Sequence, residues 1–163
     1  MLSGMVVEFE PMPLANVVDL VNECGTLPRI LGGREAGPAA DPESIALADE
    51  LHRVFAATEP AVRAGLVTML LRRSGARPVL AERSGDLVAA WVVAGPAQRS
   101  RAAAALALRH HLAEHPGRIG VCADDQCADV YVDSSPAGRR RFCCVTCQNR
   151  ARAATFRRRH RPD

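Results

Sequence analysis

The chain has 163 residues, 48% of them apolar and only 4% aromatic, which suffices for one ordinary core and a small appendage but not for two full-sized domains. All 21 basic side chains are arginine, and against 18 acids they leave a net charge of +3; so lysine-free and Ala/Arg-rich a composition reflects a GC-rich genome more than a function. With no basic stretch leading into an apolar run, and no run of about 18 apolar residues, leader and membrane-span readings are set aside and a soluble, cytoplasmic protein is expected.

In chain order, residues 1–13 show no clear period, although Met5-Val6-Val7-Glu8-Phe9 suits a short edge strand. Leu14, Val17, Val18 and Val21 follow helical spacing to Cys24, with Gly25 as the stop. Leu27 to Ala40 holds Pro28, Gly32, Gly33, Gly37 and Pro38, and reads as a loop. Asp41-Pro42-Glu43 opens a helix with a capping carboxylate, a proline in the first turn and an acid near the positive end of the dipole. Its buried stripe is expected at Ile45, Leu47, Ala48, Leu51, Val54 and Phe55.

Thr58-Glu59-Pro60 starts the next helix, with Val62, Leu66, Met69 and Leu70 turned inward and Gly75 at its end. The period then shortens: Val79 to Arg83 and Asp86 to Val93, joined by Ser84-Gly85, predict a hairpin. An alanine-rich helix follows Gly95-Pro96 and is broken at His115-Pro116-Gly117, where the domain boundary falls. Residues 1–116 are thus expected to form a helical regulatory domain. Residues 117–163 form a small zinc-ribbon or treble-clef-like module of one hairpin and a C-terminal helix. The fold class is mainly α (α+β).

Five of six cysteines lie between Cys122 and Cys147, as Cys122-x4-Cys127, fifteen residues, then Cys143-x3-Cys147. Two close pairs joined by a hairpin-length span are how two knuckles bring four sulfurs around one tetrahedral zinc, and cytosolic thiols stay reduced. Cys144 also stands at CxxC spacing from Cys147, so Cys143 and Cys144 compete for the third position. With no histidine between Cys122 and Cys147, the ion is expected to be a single structural Zn2+ and not a catalytic one. A module this small has little core, so the metal supplies on the order of 10 kcal/mol of its folding free energy. Asp129 to Phe142 is read as its hairpin, turning at Ser135-Pro136-Ala137-Gly138.

The set Cys122, Cys127, Asp133-Ser134, Arg140-Arg141-Phe142-Cys143 and Cys147-Gln148-Asn149-Arg150 resembles the CGNR zinc finger found at the C-terminus of many actinobacterial proteins. There it often follows a helical stress-induced transcription regulator (ABATE-type) domain. Upstream, Val18-Asp19-Leu20-Val21-Asn22 looks like the opening Asp-Leu-Val-Asn helix of that family. The resemblance implies Cys143 as the ligand, since a serine is usual at the place of Cys144, and Gln148 replaces the name-giving glycine. It also implies regulation through DNA or RNA.

Charge is segregated along the chain: 12 arginines face 17 acids through Gly138, whereas 9 arginines face one acid from Arg139 onward. Arginine's planar fork suits phosphate oxygens and the guanine O6/N7 edge. The candidate nucleic-acid contacts are therefore Arg139, Arg140, Arg141, Arg150, Arg152, Arg157, Arg158 and Arg159, with Arg161 on the same helix. If that helix begins at Gln148, Ala153 and Phe156 pack on the finger and arginines flank them. Asp19 and Asn22 are a candidate ligand pocket for a small-molecule effector or protein partner.

The expected function is a DNA-binding transcriptional regulator. The alternatives are an RNA-binding or ribosome-associated protein, and an adaptor of the transcription machinery. No nucleotide-binding glycine motif, nucleophile elbow or zinc-protease signature occurs, so no catalytic residue is assigned and no enzyme is expected. No heptad seam is visible, so the face of any homodimer belongs to the globular part.

Overall fold

The computed structural model describes residues 6–35, 37 and 40–160; Met5, Pro38 and Arg161, named above, lie outside them. The chain forms two compact units. One contains Glu59–His115 and the described residues up to Val17; the other contains Val18–Thr58 and the described residues from Pro116 on. The chain passes between the units after Val17, after Thr58 and after His115.

The first unit is a three-stranded antiparallel sheet with helices. Strand β1 (Val7–Phe9) is the edge strand expected, paired with β3 (Asp86–Val93), which pairs in turn with β2 (Arg77–Arg83). Ser84 and Gly85 join β2 to β3 at φ 54° and 92°, both positive as a type I′ hairpin turn needs. Helix α4 (Pro60–Ser74) packs on α5 (Arg99–Glu114), and α5 packs on β1. Phe9, Val93, Ala102, Ala103 and Leu106 form the core here, with Trp91 and Met12 against it. From Ala102 to Leu108 every residue of α5 is buried, because alanine lets neighbours approach on all sides.

The inward face of α4 is only partly the one expected, with Leu70 buried and Leu66 half-buried but Val62 and Met69 turned out. Arg63, Val67, Leu70 and Ser74 are buried, whereas Val62 and Met69 are about half exposed, at 54% and 48%. Apolar residues surround this helix, so its period admits two phases. The observed one became acceptable because the Ser74 hydroxyl donates to Leu71 O at 2.7 Å and accepts from Ala76 N at 3.3 Å.

Helix α1 spans Leu14–Cys24, as its period predicts. The segment read as a loop instead begins with helix α2 (Thr26–Gly32). Its proline and glycines sit at the ends. Pro28 occupies the first turn, where a missing N–H costs nothing, and Gly33 closes the helix at φ 61°, the left-handed conformation that only glycine adopts freely. Asp49 supplies the cap that local sequence lacks, accepting from Thr26 N and Thr26 Oγ1, each at 2.7 Å.

Helix α3 (Pro42–Ala56) starts as expected, with Asp41 Oδ1 accepting from Glu43 N and Ser44 N. Leu47, Ala48, Leu51, Val54 and Phe55 are buried, Ile45 is half-buried, and His52 joins the buried side. Strands β4 (Ile119–Val121) and β5 (Val130–Val132) pair antiparallel and pack on α3, and α6 (Val145–Arg159) completes this unit.

Candidate metal centre and basic groove

The hairpin of the finger is not the one the sequence suggests. Strand β5 pairs back to β4, with Gly120 opposite Tyr131, so the segment carrying Cys122 and Cys127 connects the two strands. The turn at Ser135–Gly138 does form, through Gly138 N donating to Ser135 O at 3.2 Å. At φ 62°, with Arg118 Cζ 3.0 Å from where a Cβ would stand, position 138 favours glycine, and a side chain there would be strained and would displace the Arg118 guanidinium.

Beyond the turn no strand returns, because side chains replace the ladder. Asp133 accepts from Ser135 N, Ser135 Oγ and Arg140 N. The Arg140 guanidinium donates to Val132 O at 3.1 Å, Phe142 O at 2.9 Å and Cys143 O, and lies 5.3 Å from the Tyr131 ring centre. Tyr131 OH donates to Arg140 O at 2.7 Å. Ala123 N donates to Arg141 O at 2.8 Å, tying this stretch to the first pair of cysteines.

That framework, with the first turn of α6, gathers the sulfurs of Cys122, Cys127, Cys143 and Cys147 within 4.8 Å of one another. Cys127 Sγ and Cys147 Sγ lie 3.7 and 3.6 Å from Cys143 Sγ. A zinc tetrahedron with Zn–S near 2.3 Å has edges of about 3.8 Å, so these residues fit the ion. All-thiolate donors select zinc or an iron–sulfur centre among biological metals, and the closed set of four leaves no position for a reacting water. Burial pushes the Cys127, Cys143 and Cys147 thiols up; a dication offsets this by binding the thiolates. Cys143 N also donates to Cys122 Sγ at 3.4 Å. Cys144 is exposed, outside the four, and sits at the N-cap of α6, where the backbone amide of Cys147 lowers its thiol.

Residues 118–160 match the CGNR zinc finger. No curated protein matches the chain. The match begins just before β4 and ends one residue beyond α6, and with the four-sulfur cluster it makes this module a structural zinc finger.

Three consecutive residues of the finger are each held by a different side chain from the Val18–Thr58 stretch of the same unit. His52 Nε2 donates to Ala128 O at 3.0 Å, Arg34 pairs with the Asp129 carboxylate, and the Asn22 carboxamide bonds Val130 twice. His52 and Arg34 carry no local sequence signal for this role. Asn22, a candidate for the ligand pocket, spends both amide groups here, and Asp19 is exposed on α1. Neither lines the groove of the finger.

That groove, about 640 Å³, is bounded by α6, Asp124–Gln126 and Arg141–Phe142. Helix α6 begins at Val145, three residues before the start expected. Phe156 and Ala153, expected to pack on the finger, are exposed, Phe156 by 63%. Cys147 sets the phase of the helix by pointing at the metal site. Nine residues later, at about 100° per residue, Phe156 falls on the opposite face.

Among the candidate arginines, Arg140 is taken up by three carbonyls, and Arg150 pairs with buried Asp124 at 3.2 Å. Arg139, Arg141, Arg152, Arg157, Arg158 and Arg159 are exposed. No helix among the described residues is long and apolar enough to cross a membrane.

Proposed function

We propose that this protein is a nucleic-acid-binding regulator whose zinc finger grips the phosphodiester backbone, and whose helical regions receive a ligand or partner. Its role on this reading is transcriptional. The observation that carries it is the set of exposed arginines from Arg139 on: besides Arg140 and Arg150 there are six among the described residues, and five of those line the groove. Arg139 follows the Ser135–Gly138 turn and is not among the residues lining the groove. Cationic side chains held on a rigid frame neutralise phosphates without reading sequence, each contact on duplex DNA adding about −0.9 to the salt slope of binding. The zinc supplies folding free energy and orientation, and the arginines supply the contact.

The test is retention of the whole, zinc-loaded chain on random duplex DNA and on structured RNA at two salt concentrations, against a triple variant Arg152→Ala, Arg157→Ala, Arg159→Ala. Truncating before the finger is a poorer comparison, because Ala128 to Val130 are held by residues of Val18–Thr58. The expected result is salt-sensitive retention, lost or strongly reduced in the variant. Unchanged retention sinks the reading, and a salt-resistant protein partner with no nucleic-acid retention favours an adaptor instead.

A further inference from the structure

An aromatic side chain 63% exposed on an otherwise polar helix needs an explanation. Phe156 is not merely solvated. Its ring stacks on that of His160, with centres 4.1 Å apart and planes inclined by 23°. The His160 ring is anchored in turn, Nδ1 lying 3.0 Å from Phe156 O, which also accepts from His160 N at 3.2 Å. The pair is a small flat platform fixed at the described end of α6.

Its surroundings carry charge of one kind on one side and hydrogen-bonding groups on another. Arg152 and Arg159 stand four residues before and three after Phe156, the spacings that make helix neighbours. Both arginines and both rings line the groove, and so do Phe142, Asp125 and Gln126 across from them. A duplex presents phosphates and leaves its bases stacked inside; it offers nothing to an exposed stacked ring pair. A single strand offers phosphates for the arginines and an open π-face for the rings, the combination by which proteins hold unpaired nucleotides. The groove's carboxylate and carboxamide suit the amino and imino donors of an unpaired base edge.

We infer that the Phe156–His160 pair is a stacking platform for an unpaired nucleobase, and that the ligand of the groove is a single-stranded stretch of nucleic acid. This rests on the nucleic-acid reading above and narrows it. An RNA loop and a melted DNA strand share the chemistry, since the stack reads the base and the arginines read phosphate.

The experiment uses the full zinc-loaded chain with labelled oligonucleotides: unstructured single-stranded RNA, the same sequence as DNA, its duplex, and a strand of equal length with abasic sites. Phe156→Ala is expected to weaken binding of the base-bearing single strands by roughly 5- to 150-fold. It leaves the salt slope, the duplex and the abasic strand unchanged. Phe156→Trp is expected to restore single-strand affinity and to add indole emission that the strand quenches. The RNA and DNA arms show which strand is preferred, and either preference fits the platform provided the Phe156→Ala loss accompanies it.

Single-strand binding unchanged in Phe156→Ala, while the arginine variants lose affinity, overturns the platform and leaves the nucleic-acid reading standing. Equal loss on the duplex and the abasic strand also overturns it. Failure of the wild-type chain to retain any strand removes both readings together. Because Phe156 is exposed, unchanged zinc content and thermal unfolding in Phe156→Ala confirm that folding is not what the assay measures.

Discussion

The carboxamide of Asn22 acts toward Val130 as a strand of one residue: Nδ2 donates to Val130 O at 3.1 Å and Oδ1 accepts from Val130 N at 2.7 Å. Strand β5 has β4 on one side, and Asn22 completes its other side where no third strand exists. Burying an amide group without a partner costs about 1–3 kcal/mol. Asn22→Ala is therefore expected to destabilise the protein by about that much, lowering Tm by roughly 2–4 °C per kcal/mol. Asp19→Ala, three residues earlier and exposed, is expected to change stability by less than about 0.5 kcal/mol. Thermal unfolding of the two variants side by side checks both, and equal effects would mean that the Val130 contacts contribute nothing.

Zinc stoichiometry separates the two adjacent cysteines. Cys143 Sγ lies within 3.7 Å of two other sulfurs of the cluster, and its backbone amide donates to a third. Cys144 is exposed at the helix cap. Cys143→Ser is expected to abolish stoichiometric zinc and to unfold the finger, which owes the metal on the order of 10 kcal/mol. Cys144→Ser is expected to retain one zinc per chain. Metal analysis after gel filtration decides, and loss confined to Cys144→Ser would reverse the assignment.

What could be read along the chain was what is encoded locally. Asp41-Pro42-Glu43 carries its own cap, Ser84-Gly85 its own turn, and the cysteine spacing its own cluster, although spacing alone left Cys143 and Cys144 as rivals and the family resemblance chose between them. What could not be read was settled by partners far away in sequence. His52, Arg34 and Asn22 meet their partners 76, 95 and 108 residues on, and nothing local distinguishes a polar side chain on such an errand from one in solvent. The family-like Asp-Leu-Val-Asn run did single out Asn22, but as a ligand contact. Helix α2 escaped notice because its cap, Asp49, lies on α3. Apolarity alone turns Phe156 inward, whereas in the structure Cys147, buried in the four-sulfur cluster, sets the rotation of α6.

Acid is expected to weaken the start of α3 through Asp41. The backbone amide and hydroxyl of Ser44 hold its carboxyl below the usual carboxylate value. A carboxyl depressed in the folded state contributes stability that is fully present above its unfolded value, near pH 4, and is lost as pH falls through the folded value. Asp41→Ala is therefore expected to be less stable than the wild type at pH 7, with the difference narrowing below about pH 4. Unfolding of both proteins between pH 7 and pH 3 measures this. A gap that persists undiminished at the acid end would show that the charge is not what caps the helix.

Arg140 and Arg152 are expected to fail in opposite ways although both are exposed arginines of the finger. The Arg140 guanidinium holds Val132, Phe142 and Cys143 by their carbonyls, so Arg140→Ala strips donors from the loop that delivers a zinc ligand. The expected cost is about 1–2 kcal/mol of stability, together with faster zinc loss to a chelator. Arg152 lines the groove beside Phe156, and on the proposed function Arg152→Ala leaves stability and zinc untouched. It lowers the salt slope of nucleic-acid binding by about 0.7 on a single strand or 0.9 on a duplex. Arg140→Ala, measured below its unfolding range, keeps the wild-type slope because its charge was never presented to phosphate. Chelator kinetics and salt-titrated affinities on both variants make a two-by-two comparison. Were Arg140→Ala to lower the slope and leave zinc retention intact, the division between arginines that build the finger and arginines that use it would be wrong.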